Sequence, residues 1–168
     1  MKLTMLALSK TSGYAIFALS CMNGPDGPWI LVKNLAACTG VPPDYLSAIL
    51  HALARCGLIK AKRGYRGGFV LARLAEEISV LQVVEAVEGR VWSQRCLLGL
   101  SECSDQRACP THDFWKTEQV KIKKLLSSLS LAEVGAFERS DRGSLRCGAS
   151  QDHDRATPRR KKRQTRRS

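Results

Sequence analysis

The segment from residue 39 to residue 57 constrains the fold of this chain more than any other. It reads T-G-V-P-P-D-Y-L-S-A-I-L-H-A-L-A-R-C-G, and Pro43 or Asp44 suits the first turn of a helix. The apolar residues that follow recur at helical spacing, and they are Leu46, Ile49, Leu50 and Leu53, before Gly57 ends the helix. An upstream helix over 32–38 ends at Gly40, which suits a left-handed C-cap. Two helices joined by a short glycine-containing turn predict a helix-turn-helix.

A basic, glycine-rich hairpin is predicted directly after this unit. Residues 58–62 alternate like a strand, and residues 69–71 provide its partner. The connection R-G-Y-R-G-G has three glycines in six positions, and Arg63 and Arg66 project from it. A helix-turn-helix followed by such a hairpin predicts a mainly α fold, a winged helix-turn-helix with a small β-hairpin wing. A further short strand is expected at 29–31.

Three cysteines and a histidine follow the predicted domain in one polar, turn-rich loop. Cys96, Cys103 and Cys109 have C-x6-C-x5-C spacing, and His112 comes three residues after the last of them. Thiolates and an imidazole are ligands that either zinc or an iron–sulfur cluster accepts. The loop lacks the C-x2-C knuckle of zinc fingers, which favours a cluster, but zinc and redox-active thiols remain alternatives.

We expect the helix before this loop and the helix after it to pack on different surfaces. A fourth helix is predicted from Ile78 to Val87, is ended by Gly89 and packs on the winged-helix core. A longer amphipathic helix begins at Phe114, and its apolar stripe continues to Leu129. Such a helix outside the core needs a partner surface, which is either its own domain or the same helix of a second chain. Because helix-turn-helix proteins usually bind DNA as dimers, we expect a homodimer. Ser130 to Glu133 resembles a capping box and predicts a short final turn.

We do not expect the cysteines and histidines outside this loop to bind a metal. We expect Cys21, Cys38 and Cys56 to be core residues, since they lie at or near apolar helical positions. His51 is expected on the surface or facing DNA, and Cys147 lies in the polar tail.

Most of the positive charge of the chain lies in its last residues. The net charge is +12, but residues 155–168 contain eight Lys or Arg and no acid, which leaves +4 for the remaining chain. This tail cannot bury apolar surface, so we expect it to be disordered and to add nonspecific attraction for phosphates. No apolar run is long enough to span a bilayer, and clustered thiols suit a reducing cytoplasm.

Three segments of the chain resemble the IscR/NsrR family of bacterial winged-helix iron–sulfur transcription regulators. They are L-S-K-T-S-G-Y-A-I-F-A-L at 8–19, residues 42–69 with the wing, and C-P-T-H-D-F-W at 109–115. The resemblance covers about residues 8–135. It implies a homodimer with crossed long helices, and a cluster, of the 2Fe–2S type, whose state controls DNA affinity or sequence choice.

The resemblance also implies roles for individual residues. The implied cluster ligands are Cys96, Cys103, Cys109 and His112, and the implied DNA-facing residues are Asp44, Tyr45, Ser47 and Arg63. Other members place an acidic ligand at the position of Gly13, which cannot ligate, and this favours His112. The interval between Cys96 and Cys103 is one residue longer than the matching interval in the family member that this loop resembles.

The sequence therefore predicts a regulator, not an enzyme, with four segments. They are a DNA-binding domain at 8–89, a cluster loop at 90–113, a dimerisation helix at 114–135 and a disordered basic tail at 136–168. Loss of the cluster to oxidation, nitric oxide or iron shortage is expected to release the loop and shift the recognition helices. An electron-transfer enzyme is disfavoured, because the chain has no glycine-rich nucleotide loop and no catalytic pair. The alternative is a cluster-free or zinc-binding regulator that uses the cysteines as thiol switches.

Overall fold

The computed structural model describes residues 8–64, 67–90, 92, 96–98, 105–106 and 109–141. The elements in chain order are α1 (Lys10–Ser20), α2 (Val32–Thr39), α3 (Pro43–Arg55), β1 (Ile59–Lys62), β2 (Gly68–Leu71), α4 (Val80–Glu88), α5 (His112–Ser128) and α6 (Leu131–Asp141). A single 3-10 turn at Ala75–Glu77 joins β2 to α4. This order confirms the predicted mainly α winged helix-turn-helix.

The helix-turn-helix is formed by α2 and α3, and its turn depends on Gly40. This residue has φ 68°, and its backbone N–H donates to the Ala36 carbonyl over 2.8 Å. A left-handed φ is easy for glycine and costly for residues with a side chain, so the predicted cap is confirmed. The four predicted stripe residues of α3 are all buried, and they are Leu46, Ile49, Leu50 and Leu53.

The wing is an antiparallel pair in which Ile59 lies opposite Leu71 and Lys62 opposite Gly68. The short strand expected at 29–31 is reduced to one bridging residue. Ile30 exchanges two backbone hydrogen bonds with Phe69, of 2.9 and 2.8 Å. The bridge holds the chain before α2 against the wing.

Buried residues of the described part of the chain form a hydrophobic cluster between α1, α2, α3, the hairpin and α4. Its fully buried members include Leu19, Leu35, Leu50 and Ile78. Leu131, the first residue of α6, is also buried in this cluster. Helix α1 packs against α2, α3, α4 and α6, whereas α5 packs against α4.

The C-terminal part differs from the expectation. The predicted final turn is a helix, α6, which runs to Asp141 and includes residues 136–141 of the predicted disordered tail. The segment 114–135 is also divided between α5 and α6, because the chain leaves the helix at Leu129. Residues 142–168, with Cys147 and the basic tail, lie outside the described residues. No helix within the described ranges is long and apolar enough to cross a membrane.

The three cysteines predicted to be core residues have different environments. Cys21 and Cys38 are half-buried, and Cys21 packs against the hydrophobic cluster. The prediction for Cys56 is wrong, because this residue is exposed at the C-terminal end of α3. Its position after Arg55 places it past the buried stripe of the helix.

Candidate DNA-binding surface and cysteine loop

One side of helix α3 faces away from the core and includes the residues predicted to meet DNA. Asp44 and Tyr45 are exposed, and Ser47 is half-buried. His51, one turn further along, is also exposed, and its ring makes an edge contact with Phe69 of the wing, with ring centroids 6.1 Å apart. This contact fixes the helix relative to the hairpin.

The wing adds basic residues beside this side of α3. Lys60, Lys62 and Arg63 are all exposed on or beside strand β1. Arg66 lies outside the described residues. Residues 42–71 contain five Lys or Arg and one acidic residue, Asp44, which gives this unit a formal charge of +4. The excess lies on the hairpin, because Asp44 and Arg55 of α3 offset each other, and a positive hairpin beside the exposed side of α3 attracts the phosphates of a duplex.

Tyr45 is also part of a contact with α1 that the sequence did not reveal. Its hydroxyl lies 2.6 Å from the Oγ1 atom of Thr11, and its ring meets Tyr14 edge-on with centroids 6.2 Å apart. The side chain nevertheless remains 44% exposed. The N-terminal turn of α1 therefore positions the first turn of the candidate recognition helix.

A second polar contact joins that same turn of α1 to α4. The Ser12 hydroxyl donates to Glu88 Oε1 over 2.6 Å, and the Ser9 backbone N–H donates to the same oxygen over 3.2 Å. Ser12 is fully buried and is the buried polar residue of the described core. A buried hydroxyl usually keeps a hydrogen-bond partner, so Ser12 holds the end of α4 against the start of α1.

The cysteine loop connects this end of α4 to α5. Cys109 is half-buried, and its carbonyl accepts a hydrogen bond of 3.0 Å from the His112 backbone N–H, which begins α5. Thr111 precedes the helix but makes no side-chain cap. Its Oγ1 lies 3.2 Å from Cys109 Sγ instead. A hydroxyl beside sulfur can donate to a thiolate, and a helix N-terminus favours negative charge.

His112 is paired with a carboxylate from the same loop. Its Nε2 atom lies 2.9 Å from Asp105 Oδ1, and its side chain is 13% exposed. Lys116 Nζ, one turn into α5, donates to the same oxygen over 2.6 Å. The hydrogen bonds from Lys116 and then from His112 hold the pKa of Asp105 below its ordinary value. The carboxylate thus remains ionised beside the imidazole.

The structure brings together only part of the predicted metal-binding set. Cys109 and His112 lie at the start of α5, and Cys96 is half-buried in the preceding segment. Cys103 lies outside the described residues. Among the described side chains, no three Cys, His, Asp or Glu form a group that could hold a metal ion.

Comparison with known proteins identifies the family to which these features belong. A family model described as "Rrf2: Iron-dependent Transcriptional regulator" matches residues 8–136, from the start of α1 into α6. The chain belongs to the Rrf2 family. It is therefore a DNA-binding transcriptional regulator, which confirms the predicted function class. The resemblance to IscR-like regulators is confirmed as well.

Relatives and solved structures support this assignment. The HTH-type transcriptional regulator IscR of Photorhabdus laumondii is 30% identical over 131 residues, which cover 77% of this chain and 79% of the relative. The fold is similar to that of CymR, the global cysteine regulator of B. subtilis, with a TM-score of 0.63, 21% identity and coverage of 79% of this chain and 98% of CymR. It is also similar to T. potens IscR, with a TM-score of 0.61, 23% identity and coverage of 82% and 91%. Both structures share the Rrf2 winged-helix fold with this chain.

Proposed function

We propose that this Rrf2 regulator binds duplex DNA as a homodimer and senses redox, iron or nitric oxide status through an iron–sulfur cluster. The observation that carries the proposal is the placement of Cys109 and His112 at the start of α5. They lie in the segment that joins α5 to α4, and α4 contacts α1 and α3. The iron dependence named for the family agrees with this assignment.

The donor chemistry of the loop fits a cluster of the 2Fe–2S type. Three thiolates from Cys96, Cys103 and Cys109 and the imidazole of His112 are an accepted ligand set for iron. The Asp105 carboxylate bonds to His112, and a carboxylate of this kind typically orients a metal-ligating imidazole. The bound cluster would supply a centre that responds to oxidants, nitric oxide and iron supply.

Two hydrogen bonds provide a route from the loop to the DNA-binding surface. Glu88, the last residue of α4, is bonded to Ser12, and the adjacent Thr11 is bonded to Tyr45 of α3. A displacement of the α4 end would therefore act on the first turn of α1, and through it on the first turn of the recognition helix. A shift of about an ångström or two between recognition helices alters half-site spacing and hence affinity.

Operator titration in the presence and absence of the cluster tests the proposal. We expect cluster loading to change operator affinity about fivefold or more, which is typical of an allosteric coupling. Ser12→Ala removes the hydroxyl bonded to Glu88 and should reduce this difference while the cluster is retained. Ser127→Ala, which removes an exposed hydroxyl on α5, is the control. Equal operator affinity of loaded and stripped wild-type protein would contradict cluster sensing.

The wing provides a test of the DNA-binding surface. Arg63→Ala removes an exposed guanidinium from the end of the hairpin and should weaken operator binding by about 1–3 kcal/mol. Arg139→Ala removes the same group from α6 and should leave affinity nearly unchanged. Gel-shift titration measures both, and unchanged affinity in the Arg63 variant would contradict the wing assignment.

The second candidate is a cluster-free or zinc-binding regulator that uses the loop cysteines as thiol switches. It is supported by the donor chemistry of the loop, because cysteine thiolates and the imidazole of His112 are also ligands that zinc accepts. Metal analysis distinguishes the two candidates. Zinc without acid-labile sulfide supports the alternative, and iron with stoichiometric sulfide supports the cluster.

A further inference from the structure

Two cysteines outside the metal-binding loop lie side by side in the DNA-binding domain. Cys21 directly follows α1, and Cys38 is the penultimate residue of α2. Their Sγ atoms are 2.7 Å apart, although the residues are 17 positions apart in the chain. Neither is among the predicted cluster ligands, and neither lies on the exposed face of α3.

The fold itself brings these two thiols together. Helix α1 packs directly against α2, and the turn between them is held by the hydrogen bonds of Ile30 with Phe69. The Cys21 backbone N–H donates to the Ala18 carbonyl over 3.3 Å, which keeps its position at the end of α1. Gly40 ends α2 two residues after Cys38. The positions of both residues are thus fixed by contacts that do not involve their sulfur atoms.

We propose that Cys21 and Cys38 are a redox modification site, a dithiol that oxidises to an intrachain disulfide and links α1 to α2. A peroxide is the oxidant. With a peroxide, one thiolate attacks the O–O bond and becomes a sulfenic acid, and the second thiol displaces water from it. Two thiols and one H2O2 give one disulfide and two waters, so the two electrons leave sulfur and reduce the peroxide bond.

The disulfide is expected to stabilise the domain rather than to rearrange it. The sulfur atoms need only approach to about 2.05 Å, and the backbones that hold them are already positioned. The crosslink closes a loop that contains the turn and α2, which restricts the unfolded chain. The site is independent of the proposed cluster, because it uses neither the loop nor its ligands.

Disulfide mapping of the full-length protein tests this site. Anaerobically purified protein is treated with H2O2, alkylated with N-ethylmaleimide and digested with trypsin without reduction. Lys33 lies between the two cysteines and Arg55 precedes Cys56, so trypsin places each of the three thiols on a separate peptide. We expect the peptides of Cys21 and Cys38 to be linked, with the loss of two hydrogens, and dithiothreitol to reverse the link.

Four variants and a stability measurement make the test specific. Cys21→Ser and Cys38→Ser should each abolish the linked species, and Cys56→Ser, which replaces an exposed thiol, should retain it. Because H2O2 would also destroy a bound cluster, melting is measured in the variant with Cys96, Cys103 and Cys109 replaced by Ala. Its oxidised form should melt about 5 °C above its reduced form, and adding Cys21→Ser or Cys38→Ser should abolish the increase. The triple variant with Cys96, Cys103 and Cys109 replaced by Ala should still form the link. Separate alkylation of Cys21 and Cys38 after exhaustive oxidation, a link from either to another cysteine, or an unchanged or lowered melting temperature would each overturn the proposal.

Discussion

Gly68 occupies a point where the backbone of the wing approaches the backbone before α2. Its φ is 143°, and an added Cβ would lie 2.5 Å from the Ile30 carbonyl oxygen. Both backbones are held by the hydrogen bonds between Ile30 and Phe69, so neither can move away easily. Gly13 has the opposite environment, because it is exposed inside helix α1 and an added Cβ would meet nothing within 4 Å.

These two glycines give opposite predictions for the same substitution. Gly68→Ala should lower the free energy of unfolding by about 1–3 kcal/mol, because it combines an unfavourable φ with a backbone clash. Gly13→Ala should raise it by about 0.5–1 kcal/mol, because alanine is the better helix former. Urea denaturation of both variants measures the difference. Equal effects would contradict the described packing of Ile30 against the wing.

The sequence does not reveal which polar side chains bond to each other when they are far apart in the chain. Thr11 bonds to Tyr45 and Ser12 to Glu88, at separations of 34 and 76 residues. A single sequence shows only that Ser12 interrupts an apolar helical face, which signals a buried hydroxyl but does not name its partner. The predicted roles of Asp44, Ser47 and Arg63 in binding DNA remain predictions.

Helix ends were predictable where the capping residues themselves determine the local geometry. The helices predicted to end at Gly40, Gly57 and Gly89 do so, and all three glycines have positive φ. The start of α6 is also set by local chemistry. The Ser130 backbone N–H and hydroxyl each donate to Glu133 Oε2 over 2.7 Å, and the Glu133 N–H donates to Ser130 Oγ over 3.3 Å. The length of α6 was not predictable, because beyond Leu131 few of its residues are buried and the sequence has no long apolar stripe.

The capping box of α6 predicts a pH-dependent contribution to stability. The Ser130 hydroxyl, and then its backbone N–H, hold the pKa of Glu133 below its ordinary value of 4.5. A lowered pKa in the folded state means that the contribution is complete above the unfolded pKa and is lost as the pH falls through the folded value. The difference in unfolding free energy between wild type and Glu133→Gln should therefore be constant above about pH 5.5 and decline below the unfolded pKa.

Urea denaturation across this pH range measures the effect, and Ser130→Ala provides the control. In the Ser130→Ala background, the Glu133→Gln substitution should show a smaller pH-dependent difference, because the principal donor is absent. A difference of the same size in both backgrounds would contradict the capping assignment.

Helix α5 leaves apolar side chains exposed in the single chain. This exposure bears on how the whole molecule assembles. None of its residues is buried, although it has 17 residues and an apolar stripe. Phe114 and Leu125, both 63% exposed, lie on the same side of the helix because they are three turns apart. We propose that a second copy of the chain covers this side of α5 in the homodimer.

Leu125→Glu tests the proposed dimer against a matched control on the same helix. The substitution places a charge in the proposed interface and should weaken dimerisation at least about tenfold. Val120 is 65% exposed but lies on a different side of α5, so Val120→Glu should leave dimerisation intact. Analytical ultracentrifugation over a concentration series measures both, and equal behaviour of the two variants would exclude this side of α5 as the interface.

In the whole molecule, the proposed sensor is an iron–sulfur cluster held by the loop between α4 and α5. Its most direct test is the iron and acid-labile sulfide content, with the absorption spectrum, of anaerobically purified protein. We predict about two iron and two sulfide per chain in the wild type and in the control variant Cys56→Ala. The Cys109→Ala variant should hold no stable cluster and should lack the cluster's absorption. Zinc without labile sulfide in the wild type, or full cluster content in Cys109→Ala, would contradict this proposal.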